Sequence, residues 1–585
     1  MNKIIDQISE YVKEAFVSAG YDEKYGRVTV SNRPDLCQYQ CNGAMPAAKE
    51  YKKAPIMIAG AVADELKKES AFSYVEAVNP GFININLSDE YIADYINKMS
   101  SDERCGCDKT DNPVKIVIDY GGPNVAKPLH VGHLRSAIIG ESVKRINRFV
   151  GNEVVGDVHL GDWGLQMGLI ITELKKRQPD LVYFDENYEG EYPSKPPFTI
   201  AELEDIYPTA NAYAKEHPEF KEEAKNATFL MQNNNKGYIA LWKHILNVSI
   251  ADLKKNYEKL NVSFEKWGKE SDAQQYIPDM VKYMKDEGYA YISEGALVVD
   301  VKEPDDTKEV PPCMILKSDG ATLYNTTDLA TIVERRKNEN PDMIIYVADK
   351  RQSLYFEQVF RCAKKTKIID PDTNLLFLGF GTMNGKDGKP FKTRDGGVMR
   401  LEQLLTEIND AVYKKVTDNK EIEDTLAHEI ADKVSIAAVK YGDLSNQASK
   451  DYIFDIERFS SFEGNTGPYI LYTIVRIKSI LAKLDGKAQD ITILPAASDT
   501  EKDLMLKLTK YNEVIFNACE ESAPHKICQY IYELSDVFNK FYHDNRIISE
   551  EDDNRRNSWI KLLMLTQKVL ETCIDLLGFE APDRM

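Results

Sequence analysis

The sequence predicts a multidomain α/β protein: a nucleotide-binding domain built on a parallel sheet, an α+β domain before it and an all-α bundle after it. Three observations lead there. A chain of 585 residues is too long for one hydrophobic core, so three or four domains are expected. Between residues 113 and 395, strand-like and helical runs alternate, the pattern of a parallel sheet with helical crossovers. From Leu401 onward the periodicity turns helical, with 3–4 spacing of apolar residues.

Taken in order, residues 1–110 form the first domain. It opens with a helical pattern at Ile4, Ile5, Ile8, Tyr11 and Val12, and a second helix covers 55–68. In 82–87, Phe82, Asn84 and Asn86 alternate with Ile83, Ile85 and Leu87, as in a half-buried strand. The central domain spans 111–400, with strands at 115–119, 153–159, 343–347 and 375–378 and helices beginning at Leu134, Leu165 and Leu354. Gly151 stands where a helix C-cap is needed. Residues 178–294 read as a mostly helical insertion with a Pro-rich loop at 193–197, its charged faces solvated rather than catalytic. Residues 401–585 are the bundle, in which Thr466-Gly467-Pro468-Tyr469 launches a new helix and 559–577 forms another.

Composition excludes several classes. No apolar run reaches the ~18 residues of a membrane span, and Asp6, Glu10 and Glu14 argue against a targeting peptide. Nine scattered cysteines suit a reducing, cytoplasmic setting. Cys105-Gly106-Cys107 and the Cys37/Cys41 pair lack zinc-knuckle spacing and read as small buried thiols, so no protein-bound metal is expected. The net charge of −20 taken alone points away from a nucleic-acid partner. Net charge governs long-range steering, however, whereas binding depends on where basic residues cluster.

The most informative segment is Pro128-Leu129-His130-Val131-Gly132-His133-Leu134-Arg135, between a strand and a helix. Free backbone N–H groups and the positive helix end converge at such a junction and favour phosphate. Gly132 admits a close nucleotide, and His130 and His133 can donate to phosphate oxygens as charge builds during transfer. Incidental turn chemistry is the plainer alternative. Further on, Gly388-Lys389-Pro390-Phe391-Lys392-Thr393-Arg394 carries two ammonium groups on a Gly-rich loop, either a pyrophosphate clamp or a surface charge cluster.

The histidine segment with its Pro123-Asn124-Val125-Ala126-Lys127-Pro128 lead resembles the HIGH motif of arginyl-tRNA synthetases, class I aminoacyl-tRNA synthetases. Four more segments follow in that family's order. They are Gly161-Asp162-Trp163-Gly164-Leu165-Gln166, Leu323-Tyr324-Asn325-Thr326-Thr327-Asp328, Tyr346-Val347-Ala348-Asp349-Lys350-Arg351-Gln352 and the C-terminal Gly578-Phe579-Glu580-Ala581-Pro582-Asp583-Arg584-Met585. The lysine loop matches the spacing of the KMSKS motif, with Pro390 and Phe391 in place of its Met and Ser.

The resemblance implies a Rossmann-type HUP catalytic domain, an N-terminal domain that contacts tRNA and a C-terminal anticodon-binding bundle. It implies a monomer that takes ATP with phosphate-bound Mg2+, L-arginine and tRNA(Arg). His130, His133, Gly132, Lys389 and Lys392 would meet ATP, with Lys127 sharing the lysine work. Asn124, Tyr324, Asp328 and Gln352 would meet arginine, whose planar cation needs a carboxylate in fork geometry. On its residues alone, Asp328 reads equally as the N-cap of a helix. Tyr469 and Tyr472, three apart on one helix face, and Met585 would meet the anticodon, with a core role for the tyrosines as the alternative. A short HxGH adenylyltransferase is disfavoured by chain length, another class I synthetase by Asp328 with Gln352. A non-catalytic RNA-binding relative is disfavoured by the intact His130, His133, Lys389 and Lys392.

Overall fold

A computed structural model of the chain describes residues 1–127, 129, 131–389, 399–418, 422–483 and 491–585. Its contacts divide the chain into two compact units, both discontinuous: Met1–Lys109 with Ser461–Leu576 and Glu580–Met585, and Thr110–Ser460 with Leu577–Phe579.

In the second unit four parallel strands stand in the order Asn374–Phe380, Met343–Asp349, Lys115–Asp119, Glu153–Asp157. The two central strands bury Ile116, Val117, Ile118, Ile344 and Ile345 almost completely, as sheets covered on both faces do. All four strands lie where the alternation places them, although Glu153–Asp157 ends two residues early. Helices Val131–Val150, Leu165–Arg177 and Ser353–Lys365 follow their strands. The first begins three residues before the expected Leu134, which draws Gly132 and His133 into its opening turn. Gly151 caps it at φ +110°, with its own N–H and that of Asn152 returning to the Asn147 carbonyl.

One expectation is corrected here. Residues 290–293, expected inside a helical insertion, form a strand of an antiparallel sheet with Ala296–Val299 and Cys313–Leu316. Glu294 and Gly295 join the hairpin with φ of +50° and +84°, the paired left-handed conformations of a tight two-residue turn. The contacts also group helices Leu401–Thr417 and Asp424–Leu444 with the parallel-sheet unit. The physical reason is buried charge. Arg135, on the helix after the histidine turn, donates to Asp443 (2.9 Å) and to the Gly381 carbonyl (2.7 Å), and its guanidinium lies 4.9 Å from the Tyr452 ring centre. Lys440, one turn before Asp443, donates to the carbonyl of Gly578 at 2.7 Å.

The first unit holds an antiparallel sheet in the order Val28–Val30, Tyr39–Cys41, Phe82–Leu87, Phe72–Val78. The expected alternation of 82–87 holds except at Asn84, which is buried and accepts a hydrogen bond from Gln40 (2.9 Å). Among the described residues, five helices from Gly467–Lys483 to Asp553–Leu576 complete the unit. Asn97 ties its two stretches of chain together, donating to the Ile493 carbonyl and accepting from the Ile493 N–H, both at 2.8 Å.

Beneath the carboxyl ends of two neighbouring strands lies the Arg335 guanidinium, 0% exposed, 2.6 Å from Asp119 and 2.7 Å from Asp157. Burial would raise the Asp157 carboxyl, but Arg335 beside it prevails and holds it down at about 2. Arg335→Met strands two carboxylates in the interior and should cost about 3–5 kcal/mol in denaturant titrations. The wild-type contribution, present above the usual Asp value near ~4, should fade as pH falls toward ~2 and be missing from the variant.

Candidate active site

The histidine turn is pinned from several directions. Gly121 (φ +71°) donates to Ser136 Oγ at 2.8 Å, and that hydroxyl donates to the Val347 carbonyl at 2.7 Å. Ala126 is left-handed at φ +60°, its N–H fixed by Ser249 Oγ at 3.0 Å. The neighbouring Lys127 ammonium stands 4.8 Å from the Tyr207 ring centre. Leu129 and Val131 bond backbone to backbone with Leu401 and Met399, at 2.8 and 3.2 Å. The downstream end of the lysine segment is thus stitched to the histidine turn. Gly132 and His133 occupy the second and third positions of the helix, at the end where the helix dipole favours anions. His130 and Lys392 lie outside the described residues. Lys389 is exposed and closes the Gly385–Gly388 turn, its carbonyl accepting from Gly385 N–H at 2.8 Å.

Beside this turn lies an acidic cluster. Asp328 is the fifth residue of helix Tyr324–Asn338, so the N-cap reading is excluded; the Thr326 hydroxyl serves that end by accepting from Leu323 N–H at 3.0 Å. The Asp328 carboxylate accepts a hydrogen bond from Tyr355, and burial raises its pKa. Glu270 is pushed up to about 7, chiefly by burial and further by Asp162 and Asp328, against the pull of His159. Tyr324, 69% exposed, shares the field of Glu270, Tyr207 and Asp328. Gln352 is exposed just before the helix that carries Tyr355. Two carboxylates and two phenols therefore gather here, a set suited to a cation that brings its own hydrogen-bond donors.

A ledge of chain, residues 157–161, joins the two halves. On one side Gly161 pairs with Asn124; on the other Leu160 donates to the Gly268 carbonyl at 2.7 Å and accepts from Glu270 N–H at 3.0 Å. A Cβ on Gly161 would lie 2.1 Å from Asn124 Oδ1, which explains the glycine that opens Gly161-Asp162-Trp163-Gly164. Sequence reasoning missed Glu270, Tyr355 and Tyr207. Glu270 stands in an unremarked Gly-Lys-Glu-Ser run, and only the pairing with 160 brings it to the site.

In the other unit, Tyr469 and Tyr472 lie on helix Gly467–Lys483 as expected. Tyr469 is half-buried, its hydroxyl accepting from Asn539 at 2.9 Å. Tyr472 is 40% exposed with the Arg476 guanidinium 4.8 Å from its ring centre, and Met585 is half-buried.

A strand–turn–helix junction at the carboxyl end of a parallel sheet, with a helical insertion and a separate helical bundle, is the architecture of a class I aminoacyl-tRNA synthetase. Family models agree: "tRNA synthetases class I (R), catalytic domain" matches residues 95–456, "DALR anticodon binding domain" 470–585, and "Arginyl tRNA synthetase N terminal domain" 2–87. The catalytic match runs through the helices that the contacts also assign to that unit. The arginine–tRNA ligases of Agathobacter rectalis and Alkaliphilus oremlandii are 64% and 59% identical to the chain, each over 100% of both proteins. The crystal structure of arginyl-tRNA synthetase from Plasmodium falciparum superposes with a TM-score of 0.82 at 25% identity, covering 100% of both chains. The chain belongs to the arginyl-tRNA synthetase family, the arginine–tRNA ligases of class I.

With Glu270 near 7, arginine should bind better as pH rises from 6 to 8, because the charged carboxylate is the stronger partner for a guanidinium. Steady-state arginine KM across that range should fall for the wild type and stay flat for Glu270→Gln.

Proposed function

We propose that Asp328 and Glu270 grip the guanidinium of arginine while the histidine turn and the lysines take the ATP phosphates. The observation that carries this assignment is the acidic cluster of Asp328, Glu270, Tyr324 and Tyr355 beside a helix N-terminus on one sheet. Asn124 and Gln352 orient the amino-acid end. The arginine carboxylate attacks the α-phosphorus in line; the new bond joins carboxylate oxygen to phosphorus, and the bond to pyrophosphate breaks. His130 and His133 neutralise charge on the phosphates during transfer, and Lys127, Lys389 and Lys392 receive the departing pyrophosphate. Mg2+ arrives with ATP as its phosphate complex, which suits a hard cation that keeps much of its water. The arginyl group then passes to the 2′-hydroxyl of the terminal adenosine of tRNA(Arg). We read the enzyme as a cytoplasmic monomer. Among the described residues no helix is long and apolar enough to cross a membrane, and all nine cysteines are free thiols.

Tyr472 and Arg476 offer a stacking platform with a cation beside it, suited to an unpaired anticodon base. Tyr469 contributes through the Asn539 network, and Met585, half-buried in the same unit, meets the anticodon with them.

ATP–pyrophosphate exchange across twenty amino acids should respond to arginine, and only when tRNA is present. Asp328→Asn should raise arginine KM by at least ~100-fold, because it leaves a buried guanidinium without its charged partner, with ATP KM unchanged. A variant that merely melts earlier would count against the assignment. Tyr472→Ala should weaken tRNA use by about 1–3 kcal/mol in aminoacylation assays, with the arginine and ATP constants intact at saturating tRNA.

A further inference from the structure

We propose that Tyr207, on the helical insertion, is a positioning residue that aims the Lys127 ammonium at the ATP phosphates. The inference rests on the reading of Lys127 as a phosphate ligand and extends it to a residue outside every motif of the site.

Helix Ile200–Glu216 is firmly built. A capping box closes its start, with Thr199 and Glu202 exchanging side-chain-to-backbone hydrogen bonds, and Leu203, Ile206, Ala210 and Ala214 are buried. The half-buried Tyr207 packs against the cluster of Leu169, Ala210, Ala214, Phe220 and Ala224. It also meets the site twice, with the Lys127 ammonium 4.8 Å from its ring centre and its phenol within the electrostatic reach of Tyr324. Glu204, three residues earlier and so on the same helix face, pairs with Arg400 at 2.6 Å. Arg400 stands between Met399 and Leu401, the two residues stitched to the histidine turn. One helix face of the insertion therefore touches the lysine before the histidine motif and the chain just after the lysine loop.

The physical need is clear. A lysine side chain has four rotatable bonds, and fixing its rotamers costs up to ~2 kcal/mol. Lys127 is held at both ends: the backbone before it is pinned at Ala126 by Ser249, and its head lies by an aromatic ring. An ammonium over a ring keeps its N–H groups available on the far side, so the ring restricts the head without consuming the donors that phosphate needs.

The test is tRNA-dependent ATP–pyrophosphate exchange by the full chain carrying Tyr207→Phe, Tyr207→Leu, Lys127→Met and the Tyr207→Leu/Lys127→Met pair, each with its melting temperature. Tyr207→Phe keeps the ring face and should stay within twofold of wild type. Tyr207→Leu should lose roughly two- to thirty-fold in kcat or in ATP KM, the span of a cation–π interaction. Combined with Lys127→Met, it should add nothing further. If Tyr207→Leu melts below the assay temperature, Tyr207→Met replaces it. Losses that multiply in the double variant, a Phe variant as poor as the Leu variant, or a change confined to arginine KM would each overturn the positioning role. If Lys127→Met itself exchanges normally, the phosphate reading of Lys127 fails, and the role of Tyr207 with it.

Discussion

The site depends on one buried cation. Arg335 reaches up from helix Tyr324–Asn338 and is clasped by Asp119 and Asp157, register partners on neighbouring strands. An interior guanidinium is tolerable only when carboxylates answer it. The helix is thereby fixed in rotation and height beneath the strand ends. Asp328 and Tyr324 lie on that same helix, two turns and three turns before Arg335. Under the proposed assignment, a guanidinium in the fold sets the place of the carboxylate offered to the substrate's guanidinium, the same chemical problem met twice within one helix.

The parts of the site that were legible in the sequence are those in which chemistry and backbone geometry share a contiguous segment. The histidine turn is one such segment, because strand, glycine and helix start follow one another there. The parallel strands were legible too, because hydrophobic runs with helical crossovers admit few arrangements. Glu270 and Tyr207 were not, since what matters about them is a partner more than a hundred or about eighty residues away, at Leu160 and Lys127. Asp328 was ambiguous because a cap and a ligand call for the same residue type; the position of the helix start, set by Thr326, excludes the cap. The hairpin at Glu294-Gly295 carried a signal, a glycine between two β-rich runs, that the surrounding helical charge pattern outweighed.

Polar groups inside the first unit are used to fix register rather than to add bulk stability. Asn84 is buried in a strand only because Gln40 across the ladder meets it, and Asn539 holds Tyr469 and Arg476 to one network. Each such group penalises a shift of one residue, since a displaced amide would be left unsatisfied. The aromatic ring of Tyr469 is thereby placed to within a single register.

The discontinuity of the two units bears on how the protein is made. The reciprocal bonds between Asn97 and Ile493 join residues 396 apart, and Lys440 reaches Gly578 across 138. A ribosome releases about 5–20 residues each second. The first hundred residues therefore spend on the order of twenty seconds or more outside the ribosome before the helices that complete their unit exist. The parallel-sheet unit, finished except for three residues, likewise waits for Gly578. The nascent chain therefore carries two half-built cores at once.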